Sequence, residues 1–175
     1  MAEESEDLMA LAEEIQQGRD TIAVPEDLLE ERRAEPAAAA RNLPAEIRAM
    51  SVGERLKLAL RGNRDSRTLL LRDANRLVQR LVLQNPRITD EEIIALAKNR
   101  NIDSELLDGI SRRKEWVSNY QVRLALTTNP KTPLAMAVRF VPTLLPRDLR
   151  LLAKSKNVPA AINGMAKRLV IERGG

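Results

Sequence analysis

The chain has 175 residues, of which 43% are hydrophobic and only 2% are aromatic. It contains no Cys and no His, which excludes disulfides, thiol nucleophiles, Cys- or His-ligated metal centres and His-centred acid–base chemistry. The net charge of +4 is unevenly distributed. Residues 1–47 carry 13 acids and 4 bases, a net charge of −9, whereas residues 48–175 carry 12 acids and 25 bases, a net charge of +13. We therefore expect the two parts to attract each other, and the second part to attract anions.

Residues 1–47 are predicted to form an acidic, largely disordered arm. Leu8, Leu11 and Ile15 recur at helical spacing, which predicts one short amphipathic helix. A second short helix is predicted from Pro25, and an Ala run at residues 37–40 follows it. Because isolated helices of this length are marginal in water, we expect the arm to order only when its apolar face docks. Leu8, Leu11 and Ile15 are the predicted docking residues, either on the basic domain or on a partner.

Residues 48–175 are predicted to form a basic, all-α domain. Ser51 and Glu54 have the spacing of a capping box at the start of a helix that ends at Gly62, and Thr89 and Glu92 repeat this spacing. Further helix starts are predicted at Thr132-Pro133, at Pro146 and after Asn157-Val158-Pro159. These signals predict about eight short helices between residues 51 and 171, and no strand.

Two stretches of this domain recur in the sequence. Residues 78–89 align with residues 122–133 at an offset of 44, and residues 97–102 align with residues 153–158 at an offset of 56. The change of offset predicts about 12 added residues, roughly one short helix, near residues 140–145. Recurrence of this kind is typical of stacked repeats, in which each unit buries its apolar face against its neighbours.

The aligned stretches share an Asn-Pro turn, at Asn85-Pro86 and Asn129-Pro130. The segment from Val122 to Leu134, with its Thr132-Pro133 pair, resembles leucine-rich-repeat-variant and HEAT-like helical repeats, and the resemblance extends over roughly residues 62–169. The chain is also similar to small bacterial helical-repeat proteins. The resemblance implies a short helical-repeat solenoid that acts as a scaffold. Some variant-repeat proteins carry a Cys-bound iron–sulfur module, which a chain without Cys cannot hold.

The basic side chains of the second part are the candidate partner-binding surface. Lys98 and Arg100, with their repeat equivalents Lys154 and Lys156, are predicted to lie at helix C-termini. There they either complement the helix dipole or form a basic ridge for an anionic partner. The Arg residues of the first half either form a solvated face with local ion pairs or bind phosphate or carboxylate. The candidates are Arg61, Arg64, Arg67, Arg76, Arg80, Lys98, Arg100, Arg112, Arg113, Lys154 and Lys156.

Trp116 and Tyr120 are the most concentrated aromatic feature. Their spacing of four predicts that they share one helical face. In a chain with so few aromatic residues, we expect the pair to pack the junction between the two repeats. A stacking platform for nucleic-acid bases would need several exposed rings.

The sequence favours a binding protein over an enzyme. It has no Gly-rich phosphate loop and no recognisable catalytic constellation, so we predict no catalysis, no cofactor and no metal. The leading hypothesis is a protein–protein interaction or adaptor module whose partner is another protein. The alternative is a nucleic-acid- or ribosome-associated protein that uses its basic helical surface. No apolar run approaches the roughly 20 residues of a membrane helix, and the N-terminus is acidic, so we expect a cytoplasmic location without membrane contact.

Overall fold

The computed structural model describes residues 2–31 and 42–173, which are helical with connecting turns and contain no strand. This confirms the all-α prediction for the described part of the chain. The α-helices are α1 Ala2–Gln17, α2 Leu43–Ala49, α3 Val52–Arg61, α4 Arg64–Leu70, α5 Arg76–Val82, α6 Asp90–Lys98, α7 Ser104–Arg112, α8 Lys114–Ser118, α9 Tyr120–Thr128, α10 Leu134–Phe140, α11 Pro146–Lys154 and α12 Ala160–Glu172. Two 3-10 helices span Glu26–Leu28 and Val141–Thr143. The chain divides into an N-terminal unit, Met1–Ile88, and a C-terminal unit, Thr89–Gly175.

The predicted helix starts of α3 and α6 are confirmed, because both capping boxes are formed. In α3, the Glu54 backbone N–H donates to Ser51 Oγ at 3.3 Å, and the Ser51 N–H donates to Glu54 Oε2 at 2.7 Å. In α6, Glu92 and Thr89 make the same reciprocal pair at 3.3 and 3.0 Å. Each box satisfies two backbone N–H groups that a helix start leaves free.

Residues 51–172, all of which the structure describes, form ten α-helices where about eight were predicted, and one of the additional boundaries separates α8 from α9. Asn119 lies between them and accepts a hydrogen bond from the Gln121 N–H at 2.9 Å, which caps α9. Trp116 and Tyr120 therefore lie on different helices and do not share one helical face as predicted. Trp116 is buried, and Arg113 stacks over its ring at 4.4 Å.

The start of α10 also differs from the prediction. Pro133 occupies the N-cap position, and the helix start has no side-chain cap. Thr132 Oγ1, the expected cap, is buried without a hydrogen-bond partner among the described residues. The short extra element predicted near residues 140–145 corresponds in position to the 3-10 helix Val141–Thr143.

The predicted arm differs most from the structure, because α1 belongs to the core of the N-terminal unit. Ile15 is 0% exposed, and Ala12 is buried in the same apolar cluster as Leu56 of α3. Leu8 and Leu11 pack against this cluster. The two compact units meet at residue 88, whereas the sequence analysis placed its boundary at residue 47. Residues 32–41 of the predicted arm lie outside the described residues.

Tertiary contacts stabilise α1, which would be only marginally stable as an isolated helix. Arg61 Nη2 donates to the Ile15 carbonyl at 2.6 Å, at the C-terminal end of α1. Beyond Gly18, which turns the chain with a φ of 71°, Lys57 pairs with Asp20 at 2.7 Å and also donates to the Ile22 carbonyl. The sequence argument treated the helix as isolated, whereas packing against α3 supplies most of the stability of such a helix.

In the C-terminal unit, α10, α11 and α12 enclose an apolar cluster. Its buried members are Ala137, Val141, Leu144, Leu149, Leu152, Ile162 and Ala166. None of the helices in residues 2–31 and 42–173 is both long and apolar enough to cross a membrane.

Candidate functional site

The Asn of each Asn-Pro turn fastens the end of an earlier helix. In the C-terminal unit, Asn129 is 5% exposed, and its Nδ2 donates to the Ala97 and Asn99 carbonyls at 2.8 and 3.0 Å. Its Oδ1 accepts from the Lys131 N–H at 3.0 Å. Buried polar groups are stable only when they are hydrogen-bonded, and here one side chain satisfies both the helix end and its own turn.

Asn85 makes the same set of contacts within the N-terminal unit. Its Nδ2 donates to the Ala59 and Gly62 carbonyls at 3.0 and 3.2 Å, and its Oδ1 accepts from the Arg87 N–H at 2.9 Å. The recurrence of Asn-Pro in the sequence therefore corresponds to a recurrence of local structure. The sequence identified both turns but did not identify the helix ends that they fasten.

Helices α6 and α9 run side by side in the same direction. Asn129 joins their C-terminal ends, and Asn119 Nδ2 donates to Asp90 Oδ2 at 3.3 Å, which joins their N-terminal ends. The N-terminal ends of α9 and α11 are also joined. The Tyr120 hydroxyl donates to Asp148 and accepts from the Leu145 N–H at 3.2 Å.

Tyr120 is held in its protonated, donating form. Burial raises the pKa of Tyr120, and the hydrogen bond to the Asp148 carboxylate raises it further. A phenol that stays neutral keeps donating to that carboxylate, so this junction between α9 and α11 persists across the neutral pH range.

A groove of about 410 Å³ opens between α9 and α11. Its two walls are helical faces with the same spacing. In each wall, the second, third and fourth residues lie three, four and seven positions after the first. Gln121, Leu124, Ala125 and Thr128 form the α9 wall, and Asp148, Leu151, Leu152 and Ser155 form the α11 wall. Lys98, Arg100, Asn157 and Val158 complete the lining. The volume falls within the range of about 300–1,000 Å³ that is usual for ligand-binding clefts.

The groove is apolar along its middle. Leu124 and Leu151 each lie three positions after the first residue of their wall, and Leu151 is 67% exposed. The one acidic residue in the lining, Asp148, is engaged with Tyr120. The lining therefore combines apolar side chains with a few polar ones, as ligand-binding clefts commonly do.

Two cations without partners lie at the edge of this groove. Lys98 and Arg100 are exposed, and neither makes a hydrogen bond or ion pair with another residue in the part of the chain that the structure describes. The carbonyls at the end of α6 accept from Asn129 instead. Lys98 and Arg100 therefore interact with the helix dipole without binding its carbonyls. Their charged groups remain accessible to a ligand.

The repeat equivalents of these cations have a similar environment. Asn163 Nδ2 donates to the Leu152, Ala153 and Ser155 carbonyls at the end of α11, at 2.9 to 3.1 Å. Lys154 and Lys156 are exposed and are next to lining residues in the sequence, but they do not line the groove themselves.

Two Arg residues predicted to bind a partner instead hold the fold together. Arg67 is 1% exposed and donates to Glu31 at 2.6 Å and to the Gly62 carbonyl at 3.0 Å. Arg61 holds the end of α1. Arg112 differs from both, because it is exposed and pairs only with Asp108 of its own helix, at 2.7 Å. The prediction that Arg67 is a surface residue was wrong, because its guanidinium satisfies a buried helix end.

The remaining candidates lie outside the groove lining. Arg64 is exposed and donates its backbone N–H to Glu31 at 3.2 Å. Arg76 and Arg80 are exposed on α5, and Arg113 stacks on Trp116. Of all the predicted basic residues, the groove brings together Lys98 and Arg100.

The sequence analysis missed the apolar walls. The shared spacing of Leu124, Ala125, Leu151 and Leu152 was available as a signal, but apolar residues at this spacing also form ordinary helix cores. Among the described residues, no group of three or more acidic side chains is placed to hold a metal ion. No protein family model, curated protein or solved structure matches the chain.

Proposed function

We propose that the C-terminal unit is a non-catalytic protein-binding module that receives an apolar segment of a partner protein in the groove between α9 and α11. The observation that carries this proposal is the groove between two matched helix faces, in which Leu151 is exposed near Lys98 and Arg100, two cations that have no partner among the described residues. A partner that covers these faces removes apolar surface from water, which contributes roughly 25 cal/mol per Å².

We further propose that the module is a short HEAT-like stack, in which α6 and α11 are equivalent helices of two repeats. The recurrence of residues 97–102 at residues 153–158 supports this assignment, as does the fastening of the α6 and α11 ends by Asn129 and Asn163. Stacked helical repeats present an extended concave surface to their ligands. An adaptor function follows from such a surface, because it binds without changing its partner chemically.

Nucleic-acid binding receives less support from the geometry. Arg61 and Arg67 are engaged with backbone carbonyls and with Glu31, and neither wall of the groove carries a cation. Contacts to a phosphate backbone need several free cations along one surface.

The proposal is tested by selecting peptides from a random display library on the full chain and measuring the affinity of each by fluorescence anisotropy. We expect Leu151→Glu to weaken the selected peptides by about tenfold or more, because it places a charge in the apolar groove. Ile171→Glu is the matched control, since Ile171 is 80% exposed on α12 and lies outside the groove.

Two results would contradict the proposal. One is a set of selected peptides that binds wild type and Leu151→Glu equally well. The other is retention on a single-stranded nucleic acid that falls steeply between about 50 and 200 mM salt while no peptide is selected, because such salt dependence is characteristic of phosphate contacts.

A further inference from the structure

We infer that the groove takes an acidic amphipathic helix, which lies along α9 and α11 with its C-terminal acids at Lys98 and Arg100. This inference rests on the proposed function and names the class of partner. Three observations lead to it: the shape of the groove, the position of its free cations, and the way in which the N-terminal unit receives α1.

The shape of the groove matches a helix better than an extended peptide. Each wall spans eight residues from its first to its last member, so at about 1.5 Å per residue the groove accommodates roughly two helical turns. A partner helix presents side chains at the same spacings of three, four and seven, which interdigitate with such walls. The described residues offer no strand edge to an extended peptide, and the lining has no aromatic side chain for a polyproline ligand.

The two cations in the groove lining lie at one end of the groove. Lys98 and Arg100 follow the C-terminal end of α6, which Asn129 fastens beside the C-terminal end of α9. At the opposite end, Asp148 is already occupied by Tyr120. Acidic side chains of the ligand are therefore favoured beside Lys98 and Arg100, whereas no cation belongs to the lining at the other end.

Charge also sets the direction of the ligand helix. A helix carries partial negative charge at its C-terminus, and cations stabilise that end. A partner helix parallel to α9 places both its negative end and any acids of its last turn at Lys98 and Arg100. An antiparallel helix would bring its positive end to the same cations.

The N-terminal unit already binds a helix with these properties. Helix α1 is acidic, and it places Ile15 and Ala12 in the core that it shares with α3. At its C-terminal end, Arg61 binds the Ile15 carbonyl and Lys57 binds Asp20. Within one chain, an apolar face with adjacent cations is thus completed by an acidic amphipathic helix.

The test uses three synthetic helical peptides of about 15 residues, a length at which helices begin to form in water. All three carry Leu at positions i, i+3, i+4 and i+7. The first has Glu in its last turn, the second has Lys there, and the third has Glu in its first turn. At low salt, we expect the affinity of the first peptide to exceed that of the other two by about fivefold or more. This preference should shrink as the salt concentration is raised.

Charge reversal at the groove should invert this preference. The double variant Lys98→Glu, Arg100→Glu is expected to bind the peptide with terminal Lys more tightly than the one with terminal Glu. The matched control is Lys154→Glu, Lys156→Glu, which makes the same change in net charge outside the lining and should leave the order unchanged. Circular dichroism checks that each variant is folded.

The outcomes separate this inference from the proposed function. If all three peptides bind equally and Leu151→Glu abolishes their binding, the groove binds protein segments but the acidic-helix inference is overturned. If none of the three binds while library peptides still depend on Leu151, the inference is overturned and the proposed function stands. If peptide binding is indifferent to Leu151→Glu, both are overturned.

Discussion

The two compact units share the Asn fastening but treat their apolar helix faces in opposite ways. In the N-terminal unit, α1 covers α3 and leaves Ile15 with no exposed surface. In the C-terminal unit, Ala125 and Leu152 are buried, but a groove remains between α9 and α11, and Leu151 on its wall is two-thirds exposed. The first unit shows that an amphipathic helix can complete a face of this architecture. The second presents such a face without the helix that would complete it.

The cations of the two units differ in the same way. Arg61 and Lys57 are engaged with the end of α1 and with Asp20. Lys98 and Arg100 have no partner among the described residues. Arg61 and Lys57 are therefore structural because a helix covers the face beside them, whereas Lys98 and Arg100 are available to a ligand. Net charge alone does not reveal this distinction.

The largest expected effect contrasts the covered face with the open one. Ile15→Ala should destabilise the N-terminal unit by about 3 kcal/mol, because it leaves a cavity beneath α1. Leu151→Ala should change stability by no more than about 0.5 kcal/mol, because its side chain is mostly in water already. Urea unfolding followed by circular dichroism measures both changes. Equal losses would contradict the contrast between a filled face and an empty one.

The next effect tests the feature that the two units share. Asn85→Ala and Asn129→Ala should each cost about 2–3 kcal/mol, because each leaves two helix-end carbonyls and one turn N–H without their partner. Hydrogen exchange read by mass spectrometry should localise the loss to α3 and α5 for the first variant, and to α6 and α9 for the second.

The control for the Asn variants is Asn101→Ala, at an exposed position, which should stay within about 0.5 kcal/mol of wild type. A loss confined to one of the two variants would show that the Asn-Pro recurrence does not mark an equivalent structural role.

Local signals in the sequence predicted local structure well. The capping boxes at Ser51 and Thr89 formed because each needs only residues three positions apart. The order of α1 could not be predicted in the same way. Its stability depends on Arg61 and Lys57, some 40 residues away, and no local pattern relates these residues to Asp20 and Ile15.

The candidate site was predicted only in part. Lys98 and Arg100 were identified because the repeat alignment placed them at helix ends, and the structure places both in the groove lining. Arg67 was misassigned because a charged side chain is normally exposed. Its burial depends on the Gly62 carbonyl, a partner that the sequence does not reveal. The junction of Tyr120 with Asp148 joins residues 28 positions apart, and spacing does not indicate it.

A smaller effect, of opposite sign in the two units, is expected at two glycines. At Gly62 an added Cβ would lie 2.3 Å from the Leu58 carbonyl oxygen, so Gly62→Ala should destabilise by about 1–3 kcal/mol. At Gly164, inside α12, an added Cβ meets nothing within 4 Å. Gly164→Ala should therefore stabilise by about 0.4–1 kcal/mol. Thermal unfolding of both variants measures the difference, and two shifts of the same sign would contradict this account.

The smallest expected effect is a pH dependence of the fastening at the end of α1. Burial tends to raise the pKa of Asp20, but the hydrogen bond and charge of Lys57, the Ile22 N–H and the charge of Arg61 outweigh it. The pKa therefore lies below its ordinary value of 3.8. A carboxylate with a lowered folded-state pKa stabilises the fold above the unfolded pKa, and this stabilisation is lost as pH falls through the folded pKa.

Asp20→Asn isolates this contribution from other acid-sensitive groups. Glu54, whose pKa is lowered by its hydrogen bonds to Ser51, also titrates in acid, so wild-type stability alone cannot assign the effect. The variant should be less stable than wild type at neutral pH. The difference should narrow as pH falls below the ordinary pKa of 3.8, and it should vanish below the lowered pKa of folded wild type, where Asp20 is neutral too. Hydrogen exchange in α1 measures the difference locally. A difference that stays constant down to the lowest pH would mean that Lys57 holds α1 through the Ile22 carbonyl and not through the charge of Asp20.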